Sequence, residues 1–479
     1  LEKNSNTIME TYSHAVQKQI DILAFPEMFL SGYQLQDLVL KKAFQEDVKN
    51  FLKILTKKCI SSTYLLLGAP IIEKGKLFNA YLLINKGEQK IISKKFHLPN
   101  NSLFDEKRYF NKSDSRNLVE IKGIKIGFPI CEDIWFSDIS KVLKKEGADL
   151  LISPNGSPYE RHKLKKRQNE VLKRCKENNI PIIYLNLVGG QDDQVFDGGS
   201  FAMDNNGDIK TQLPQFEKKT IILEFEKKGP FFRSSKNMFS EIKNDLSQDY
   251  RAISEGTKDY ILKSGFSKVI IGLSGGIDSA LVSTIAVDIL GNKNVYCVKL
   301  PSQYTSKLSS IDADDLVRNL NCGIKTIPIS KIYNLVKQTV FPSMLEQKEN
   351  ETEENIQSRI RGLILMALSN KSGNLLLTTG NKSEIAVGYS TIYGDMCGGY
   401  NPIKDLYKTR LYNISKWRNS AHESWMKGPR GPIIPVSILE KPPTAELRPN
   451  QTDQDNLPPY DILDSILECL IEHDMSISE

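Results

Sequence analysis

One segment in the second half of the chain constrains the fold more than any other. An apolar run from Val269 to Leu273 leads into Ser274-Gly275-Gly276, and residues 277–290 then carry apolar side chains at helical spacing before Gly291. A second apolar run, Val295 to Leu300, follows. This order predicts strand, glycine turn, helix and strand, which is the βαβ unit of a parallel sheet.

The first half alternates short apolar runs with Lys- and Glu-rich stretches such as 161–177. The runs are Asp21 to Phe25, Tyr64 to Gly68, Ile124 to Ile130, Asp149 to Ser153 and Ile180 to Leu187. Gly199 to Met203, an Asn206-Gly207 step and Ile209 predict a hairpin. The pattern favours a layered α/β domain.

A length of 479 residues favours two or three domains, at roughly 150 residues each. We expect a first domain over 1–228, a linker over 229–248 and a second domain over 249–479. The polar stretch that opens with Lys227-Lys228-Gly229-Pro230 marks the linker. The proline-rich part from Pro429 to Pro459 should be mostly loop.

Composition excludes several classes of protein. Apolar residues make up 40% and charged residues 25%, which is typical of globular chains. A net charge of +6 requires neither nucleic acid nor a membrane as partner, and the apolar runs are too short to span a bilayer. We predict a charged, solvated helix face for the basic run 163–167. No secretory leader precedes Glu2, although the chain opens on Leu1 and its natural start stays open. Seven cysteines without a CxxC pair argue against a disulfide scaffold or zinc site and favour the cytoplasm.

The glycine turn predicts an anion site. Backbone N–H groups and the helix dipole at a helix N-terminus hold phosphate, and glycines let the backbone approach it. Ser274 and Ser279 add hydroxyl donors, and Asp278 can hold Mg²⁺. A plain βα turn is the alternative for the glycines alone, but the whole run after a strand favours phosphate.

The run Ser274 to Ser279 resembles the signature of the PP-loop ATP pyrophosphatases. Other blocks resemble the glutamine-dependent NAD⁺ synthetases: 354–361, 365–370, 378–384, 388–389, 393–396 and 443–447. The resemblance implies a Rossmann-like parallel-sheet domain. In that family ATP converts the carboxylate of deamido-NAD⁺ to an NAD-adenylate, and ammonia then displaces AMP.

The same resemblance implies roles for individual residues. It assigns ATP to Gly272, Leu273, Ser274, Gly275, Gly276, Ile277, Asp278, Ser279 and Thr379. It assigns deamido-NAD⁺ to Asn355 and Glu384, which taken alone would be ordinary solvated helix residues, and Mg²⁺ to Asp278 and Glu384. Segments 301–308 and 447–457 resemble mobile loops that exclude water from the adenylate.

Three apolar runs of the first half end in chemically active residues. Glu27, Lys95 and Cys131 are the trio expected of a thiol enzyme that cleaves amides. Glu27 would take the thiol proton and pass it to the leaving ammonia. Lys95 would stabilise the thiolate and the oxyanion, and Cys131 would form a glutamyl thioester.

These blocks resemble the nitrilase-type glutaminase domain, which implies an αββα sandwich. The resemblance assigns L-glutamine to Ser157 and Lys163. It selects Lys95 over Lys94 and gives His97 no catalytic role. Glu106 is left with two alternatives: it is a second carboxylate near Lys95, or it pairs with Arg108.

The sequence departs from the family pattern at three places. Asn101 stands where relatives have tyrosine, which puts glutamine affinity in doubt. The pattern also begins before Leu1 and continues past Glu479 into a basic block, so we expect one strand and one basic substrate contact to be missing and turnover to be weak. The resemblance further implies a homo-oligomer, for which an octamer is one candidate, with an ammonia tunnel. Another PP-loop amidotransferase, a free-standing amidase and a non-catalytic scaffold are the alternatives.

Overall fold

The structure is a computed structural model that describes residues 1–101, 103–113, 117–226, 232–234, 238–342 and 350–479. The chain forms two compact units, Leu1–Lys243 and Asn244–Glu479. The predicted start of the linker, Lys227-Lys228-Gly229-Pro230, lies outside the described residues, and the first helix of the second unit begins at Asp245.

The first unit contains two large sheets flanked by helices. Its strands are β1 (Ile22–Ala24), β2 (Tyr64–Glu73), β3 (Lys76–Asn85), β4 (Glu88–Lys94), β5 (Val119–Ile121), β6 (Ile124–Gly127), β7 (Leu150–Asn155), β8 (Ile182–Asn186), β9 (Val188–Gln191), β10 (Gln194–Asp197), β11 (Phe201–Met203), β12 (Ile209–Gln212), β13 (Leu223–Phe225) and β14 (Phe232–Ser234). Its helices are α1 (Glu2–Gln17), α2 (Lys42–Lys58), α3 (Glu106–Tyr109), α4 (Ser137–Lys145) and α5 (Lys163–Asn178), with 3₁₀ turns at Gln36–Leu40 and Cys131–Ile134.

The two sheets pack face to face. One has the order β1-β2-β3-β4 and the other β12-β11-β8-β7-β6-β5. Alternate residues of a strand face opposite sides, so Leu65 and Leu67 pack against α1 and α2 while Leu66 faces the second sheet. Likewise Leu151 packs against α4 and α5, and Ile152 lies between the sheets. The predicted αββα sandwich is therefore confirmed.

Strand β2 is longer than the predicted run 64–68. The β2–β3 ladder continues as far as the pair Glu73–Lys76, because Lys74 and Gly75 both adopt positive φ and close a tight hairpin. The hairpin predicted around Asn206-Gly207 is confirmed as the β11–β12 pair.

The second unit is built on one parallel sheet of order β17-β16-β15-β18. Its strands are β15 (Val269–Gly272), β16 (Val295–Lys299), β17 (Gly323–Thr326) and β18 (Leu375–Leu377). Its helices are α6 (Asp245–Lys263), α7 (Ile277–Leu290), α8 (Lys307–Leu320), α9 (Ser330–Val340), α10 (Glu351–Ser372), α11 (Lys382–Val387), α12 (Lys408–Ser420), α13 (Val436–Glu440) and α14 (Tyr460–Leu467). Short turns of other helix types lie at Asn292–Asn294, Asp453–Asp455 and Glu468–Glu472.

The predicted βαβ unit is confirmed as β15, α7 and β16. Helix α7 starts after Gly276 and ends at Gly291, whose φ of 84° suits a glycine terminator. Nearly all of its residues are buried, because it lies in the main core of this unit. The stretch from Pro429 to Pro459 contains only α13 and one short turn, as expected.

None of the helices that the structure describes combines the length and the apolar character needed to cross a membrane.

Candidate active sites

Glu27, Lys95 and Cys131 come together in the first unit. Glu27 follows β1, Lys95 follows β4, and Cys131 begins the 3₁₀ turn after β6. The ammonium of Lys95 lies 2.9 Å from Glu27 Oε1, and both side chains are fully shielded from solvent. The thiol of Cys131 interacts electrostatically with both residues. The three strand ends thus form one buried cluster, which we call the thiol site.

Glu106 is a fourth member of the thiol site. Its Oε2 lies 2.8 Å from Lys95 Nζ, whereas Arg108 pairs with Asp37 at 2.5 Å. The alternative that the sequence left open is decided in favour of the lysine. Lys95 is therefore held between two carboxylates, those of Glu27 and Glu106.

Two further polar groups of the thiol site were not identified from the sequence. The hydroxyl of Tyr33 donates to Glu106 Oε1 at 2.9 Å. The amide of Asn79 donates to Glu27 Oε1 at 2.7 Å and to Glu106 Oε1 at 3.2 Å. Both residues orient the carboxylates. They belong to a cis-linked loop and to the middle of β3, where no local motif marks them.

Burial and charge set the protonation states of the thiol site. Burial alone would lower the pKa of Lys95, but Glu106 and Glu27 raise that pKa well above its usual value. Burial and the Glu27 carboxylate raise the pKa of Cys131, and Lys95 only partly opposes them. Burial also raises the pKa of Glu106 against the effect of Lys95. The resting site therefore holds a charged lysine and a protonated thiol, so the thiol needs a base to react.

Asp133 links the two strand ends that carry Lys95 and Cys131. Its carboxylate accepts hydrogen bonds from the N–H groups of Phe96 at 3.2 Å, His97 at 2.8 Å and Ile130 at 3.0 Å. Burial raises the pKa of Asp133 to about 6. Cys131 itself adopts φ of 48°, a left-handed conformation that costs energy in a non-glycine residue and is common at functional sites.

The loop after β7 closes the other side of the thiol site. Gly156 donates its N–H to Glu27 Oε2 at 2.7 Å, and a Cβ at this position would lie 2.5 Å from the Tyr33 ring. Ser157 follows directly and is buried. Only glycine fits between the carboxylate and the ring.

The remaining candidates of the first unit lie around this cluster. Lys163 pairs with Glu160 at 2.8 Å, and its ammonium lies 5.5 Å from the centre of the Trp135 ring. Its charge also reaches the carboxylate of Glu132. Lys94 pairs with Glu73 at 2.6 Å instead of joining the thiol site. His97 pairs with Asp138 and stacks on Phe136, in keeping with a structural role.

The glycine turn of the second unit is shaped by backbone packing. Gly275 adopts φ of 83°, and a Cβ there would lie 2.1 Å from the carbonyl oxygen of Ser309. Gly276 donates its N–H to Ser274 Oγ at 3.1 Å, and the hydroxyls of Ser274 and Ser279 lie 3.2 Å apart. The turn thus requires glycine at 275 and gathers two hydroxyls at the start of α7.

A second lysine held between two carboxylates lies beside this turn. Lys408 Nζ lies 2.7 Å from Asp278 Oδ2 and 3.0 Å from Glu384 Oε1. Asn381 donates to Asp278 Oδ1 at 2.8 Å. Burial and Asp278 raise the pKa of Glu384 to about 7, and Lys408 opposes them. We call this group the carboxylate pair site.

Sequence reasoning missed Lys408 and Asn381. Lys408 begins α12 and is separated from Asp278 by 130 residues, so no spacing rule links the two. Asn381 caps α11 by accepting a hydrogen bond from the N–H of Glu384, and that capping position is its only sequence signal.

The other predicted nucleotide-binding residues lie nearby. Gly272 ends β15, and Leu273 and Ile277 flank the turn. Thr379 follows β18, the parallel neighbour of β15, two residues before Asn381. Asn355 lies on α10 and accepts a hydrogen bond from the Thr391 hydroxyl at 2.7 Å.

Glu446 directly precedes the predicted mobile segment 447–457 and contacts Ser306 of the other predicted segment, 301–308. Its carboxylate accepts from the Ser309 hydroxyl at 2.7 Å and from the Ser306 N–H at 3.2 Å. Gln357 on α10 donates to the carbonyl of Leu447 at 2.9 Å. The start of segment 447–457 is thus anchored to α8 and α10.

A divalent metal was predicted at Asp278 and Glu384. Within the described part of the chain, three or more His, Cys, Asp or Glu side chains do not converge into a ready-made metal cluster. Two carboxylates around a single lysine nevertheless leave excess negative charge, and the Asp278 carboxylate adds to the effect of burial in raising the pKa of Glu384. Mg²⁺ commonly binds through one or two carboxylates together with substrate phosphates, so the donor set fits this ion.

Comparison with known proteins gives consistent matches along the whole chain. The NAD synthase family profile matches residues 249–479, and the carbon-nitrogen hydrolase profile matches residues 1–228. The glutamine-dependent NAD(+) synthetase of Rhodobacter capsulatus is 47% identical over 479 residues, which is 100% of this chain and 87% of the relative. That of Xanthomonas campestris pv. campestris is 42% identical and covers 99% of this chain and 85% of its own length. The solved structure of the glutamine-dependent NAD+ synthetase from Acinetobacter baumannii in complex with ADP is 36% identical. It superposes with a TM-score of 0.85 over 99% of this chain and 86% of that one.

Proposed function

Because the chain belongs to the glutamine-dependent NAD(+) synthetase family, we propose that it makes NAD⁺ from deamido-NAD⁺, ATP and L-glutamine. The first unit hydrolyses glutamine to glutamate and ammonia. The second activates the carboxylate of deamido-NAD⁺ as an NAD-adenylate with release of pyrophosphate, and ammonia displaces AMP. The observation that carries the proposal is the presence, in one chain, of a buried thiol site and of a glycine turn at the start of α7 that suits phosphate.

The thiol site has the groups that amide hydrolysis needs. Glu27 takes the Cys131 proton as sulfur attacks the amide carbon, and the Lys95 ammonium stabilises the oxyanion. Glu27 then gives its proton to the leaving ammonia, and a glutamyl thioester remains on Cys131. Glu27 next activates water, which releases glutamate and restores the thiol. Glu106 holds Lys95 in place throughout.

Recognition of glutamine falls to residues around this cluster. The hydroxyl of Ser157 and the ammonium of Lys163 suit the α-carboxylate of the substrate. Asn101 is exposed on a loop. It is shorter than the tyrosine that relatives have at this position, so we expect a higher KM for glutamine than in relatives that carry the tyrosine.

The turn from Gly272 to Ser279 suits the phosphates of ATP. Its backbone N–H groups, the dipole of α7 and the hydroxyls of Ser274 and Ser279 all favour an anion, and Thr379 adds a further contact. The relative from Acinetobacter baumannii binds ADP, which supports a nucleotide site in this family. We assign deamido-NAD⁺ to Asn355 and Glu384.

Asp278 and Glu384 are the residues that would hold Mg²⁺. When bound, the ion would neutralise phosphate charge as pyrophosphate leaves. Lys408 lies between the two carboxylates and offsets part of their mutual repulsion. Segments 301–308 and 447–457 would exclude water from the adenylate.

The assembly and the compartment also remain proposals. We expect a homo-oligomer, for which an octamer is one candidate, and light scattering would measure its mass. A monomer mass would refute that expectation. The scattered thiols favour a reducing cytoplasm.

The proposal is tested by following NAD⁺ and pyrophosphate with each substrate omitted in turn. We expect both products to require ATP and deamido-NAD⁺, and to form with either glutamine or ammonium chloride. An amidase with an inactive second unit would hydrolyse glutamine while forming no pyrophosphate. Another amidotransferase would ignore deamido-NAD⁺. Either result would contradict the proposal.

A further inference from the structure

Arg167 turns into the protein instead of joining the solvated helix face predicted for residues 163–167. Its side chain is fully shielded from solvent although it lies in the first turns of α5. Its donors reach the loop after β7: Nε lies 3.0 Å from Ser157 Oγ, and one terminal nitrogen lies 2.9 Å from the Ser157 carbonyl and 2.7 Å from that of Pro158. A buried arginine that donates several hydrogen bonds to one loop does more than keep the protein soluble.

The charge of Arg167 is balanced inside the protein. Its other terminal nitrogen lies 2.7 Å from Asp197 Oδ1, and Gln215 donates to Asp197 Oδ2 at 2.8 Å. Burial alone would lower the pKa of Arg167, but Asp197 raises it above the usual value, so the guanidinium stays charged. Because Asp197 neutralises it, the guanidinium is poorly suited to bind a substrate carboxylate itself.

The hydrogen bond from Arg167 restricts the directions in which the Ser157 hydroxyl can donate. A hydroxyl has one donor and two acceptor positions, and Nε of Arg167 occupies an acceptor position. The proton of Ser157 is therefore donated away from the guanidinium. A cation on the acceptor side also makes the hydroxyl a stronger donor.

Asn186 holds the backbone of the same residue. Its side-chain oxygen accepts from the Ser157 N–H at 2.9 Å, and its nitrogen donates to the Ser157 carbonyl at 3.0 Å. The preceding residue, Gly156, is bonded to the carboxylate of Glu27. The backbone groups and the hydroxyl oxygen of Ser157 are thus held in place before substrate arrives, which lowers the entropy cost of binding.

We propose that Arg167 is a positioning residue for substrate selection, which presents the Ser157 hydroxyl to the α-carboxylate of glutamine. Through Ser157, the thiol site favours an amide that carries an α-carboxylate over a plain amide. The inference rests on the proposed function, in which Ser157 contacts that carboxylate.

The test compares Arg167→Lys with wild type in the full chain. Lysine keeps the charge but loses the planar fork that reaches Ser157 and Asp197 together. We expect the KM for glutamine to rise at least tenfold with kcat changed less than about threefold. Butyramide, the glutamine side chain without its α groups, should be hydrolysed with kcat/KM within about twofold of wild type. Equal losses on both amides, or an unchanged KM for glutamine, would overturn the inference.

Two controls separate positioning from general damage. Arg174→Lys changes another buried arginine of α5, which pairs with Glu177, and should leave both amides unaffected. Should Arg167→Lys fold poorly, the pair Ser157→Ala and Arg167→Gln replaces it. We expect each to raise the KM for glutamine and the double variant to add little to Ser157→Ala, whereas additive losses would contradict the inference. If wild type hydrolyses no glutamine, the proposed function itself fails. If wild type hydrolyses glutamine and Arg167→Lys keeps its KM, only the inference fails.

Discussion

The thiol site and the carboxylate pair site use the same charge arrangement in different surroundings. In each, one lysine lies between two carboxylates: Lys95 with Glu27 and Glu106, and Lys408 with Asp278 and Glu384. The first pair of carboxylates is 0% and 4% exposed, whereas the second is 19% and 18% exposed. The thiol site is sealed from solvent, which suits proton transfers that stay within the protein; we call it the sealed site below. The carboxylate pair site is open to solvent, which suits a cation and a polyanion that arrive from outside; we call it the open site.

The difference also shows in what builds each site. Side chains from five separate segments make the thiol site, and the buried carboxylate of Asp133 holds two of these segments together. Beside the carboxylate pair site, backbone shapes the glycine turn that we propose for phosphate, where Gly275 allows the turn to pack against Ser309. A covalent reaction needs reactive groups at fixed distances, whereas phosphate binding needs many N–H groups around one cavity.

Removing the central lysine of the sealed site should have the largest effect. We expect Lys95→Met to lower glutamine hydrolysis by about 10³-fold, since it removes the oxyanion partner and leaves two carboxylates facing each other. NAD⁺ formation from ammonium chloride should stay within about twofold. Lys94→Met is the matched control, because Lys94 pairs with the half-exposed Glu73. Equal losses for the two lysines would show that the thiol site is not organised around Lys95.

Adding one methyl group to the glycine turn should impair NAD⁺ formation and spare glutamine hydrolysis, which is the reverse of the effect expected for Lys95→Met. Gly275→Ala forces a Cβ against the Ser309 carbonyl and needs a φ that alanine avoids. We expect about a 10²-fold loss of NAD⁺ formation with both nitrogen sources, while glutamate release persists. Gly276→Ala, whose Cβ would meet only Ser274 Oγ at 3.2 Å, should lose much less. Glutaminase activity lost together with synthesis would contradict the separation.

The bracing of the sealed site by Asp133 can be measured as stability. Asp133→Ala would leave three N–H groups without their acceptor, which should cost about 3 kcal/mol in the free energy of unfolding of the first unit. Asp138→Ala removes a half-exposed carboxylate and should cost under about 0.5 kcal/mol. Urea unfolding of both variants, followed at the transition of the first unit, gives the comparison. Similar losses in the free energy of unfolding for the two variants would show that Asp133 does not stabilise the thiol site.

The carboxylate pair site should make NAD⁺ formation depend on pH. Burial and Asp278 raise the pKa of Glu384 to about 7, and Lys408 holds it down. Activity that needs the carboxylate therefore falls as pH drops through that value. In Lys408→Met the pKa rises further, so the acid limb of kcat/KM for ATP, measured with ammonium chloride, should move up by about one pH unit. Lys382→Met, which removes a lysine paired with Asp405, should leave the limb in place. An acid limb that moves equally in both variants would show that Glu384 is not the group that titrates there.

The sequence predicted local features well and distant contacts poorly. Helix α7 has the predicted bounds, because strand, glycine turn and helix follow one another in the chain and each has its own signal. Strand β6 ends at Gly127 instead of Ile130, because the chain leaves the sheet before the turn that carries Cys131. The solvated helix face predicted for residues 163–167 was only partly right, since charge alone does not reveal that Arg167 turns inward to Asp197.

The same limit explains the missed site residues. Lys408, Asn79 and Asp133 contact groups that are 130, 52 and 37 residues away along the chain. Such contacts depend on how the sheets pack, and neither periodicity nor a short motif encodes them. Glu106 stood in a recognisable block, but only the fold could decide between Lys95 and Arg108 as its partner.

The central claim is that one chain frees nitrogen at a thiol and uses it at a separate nucleotide site. Cys131→Ala tests it most directly, by the ratio of NAD⁺ formed with glutamine to NAD⁺ formed with ammonium chloride. We predict that this ratio falls by at least 10³-fold while the ammonium rate stays within about twofold of wild type. A variant that still uses glutamine, or that loses ammonium-dependent synthesis to the same extent, would contradict the account.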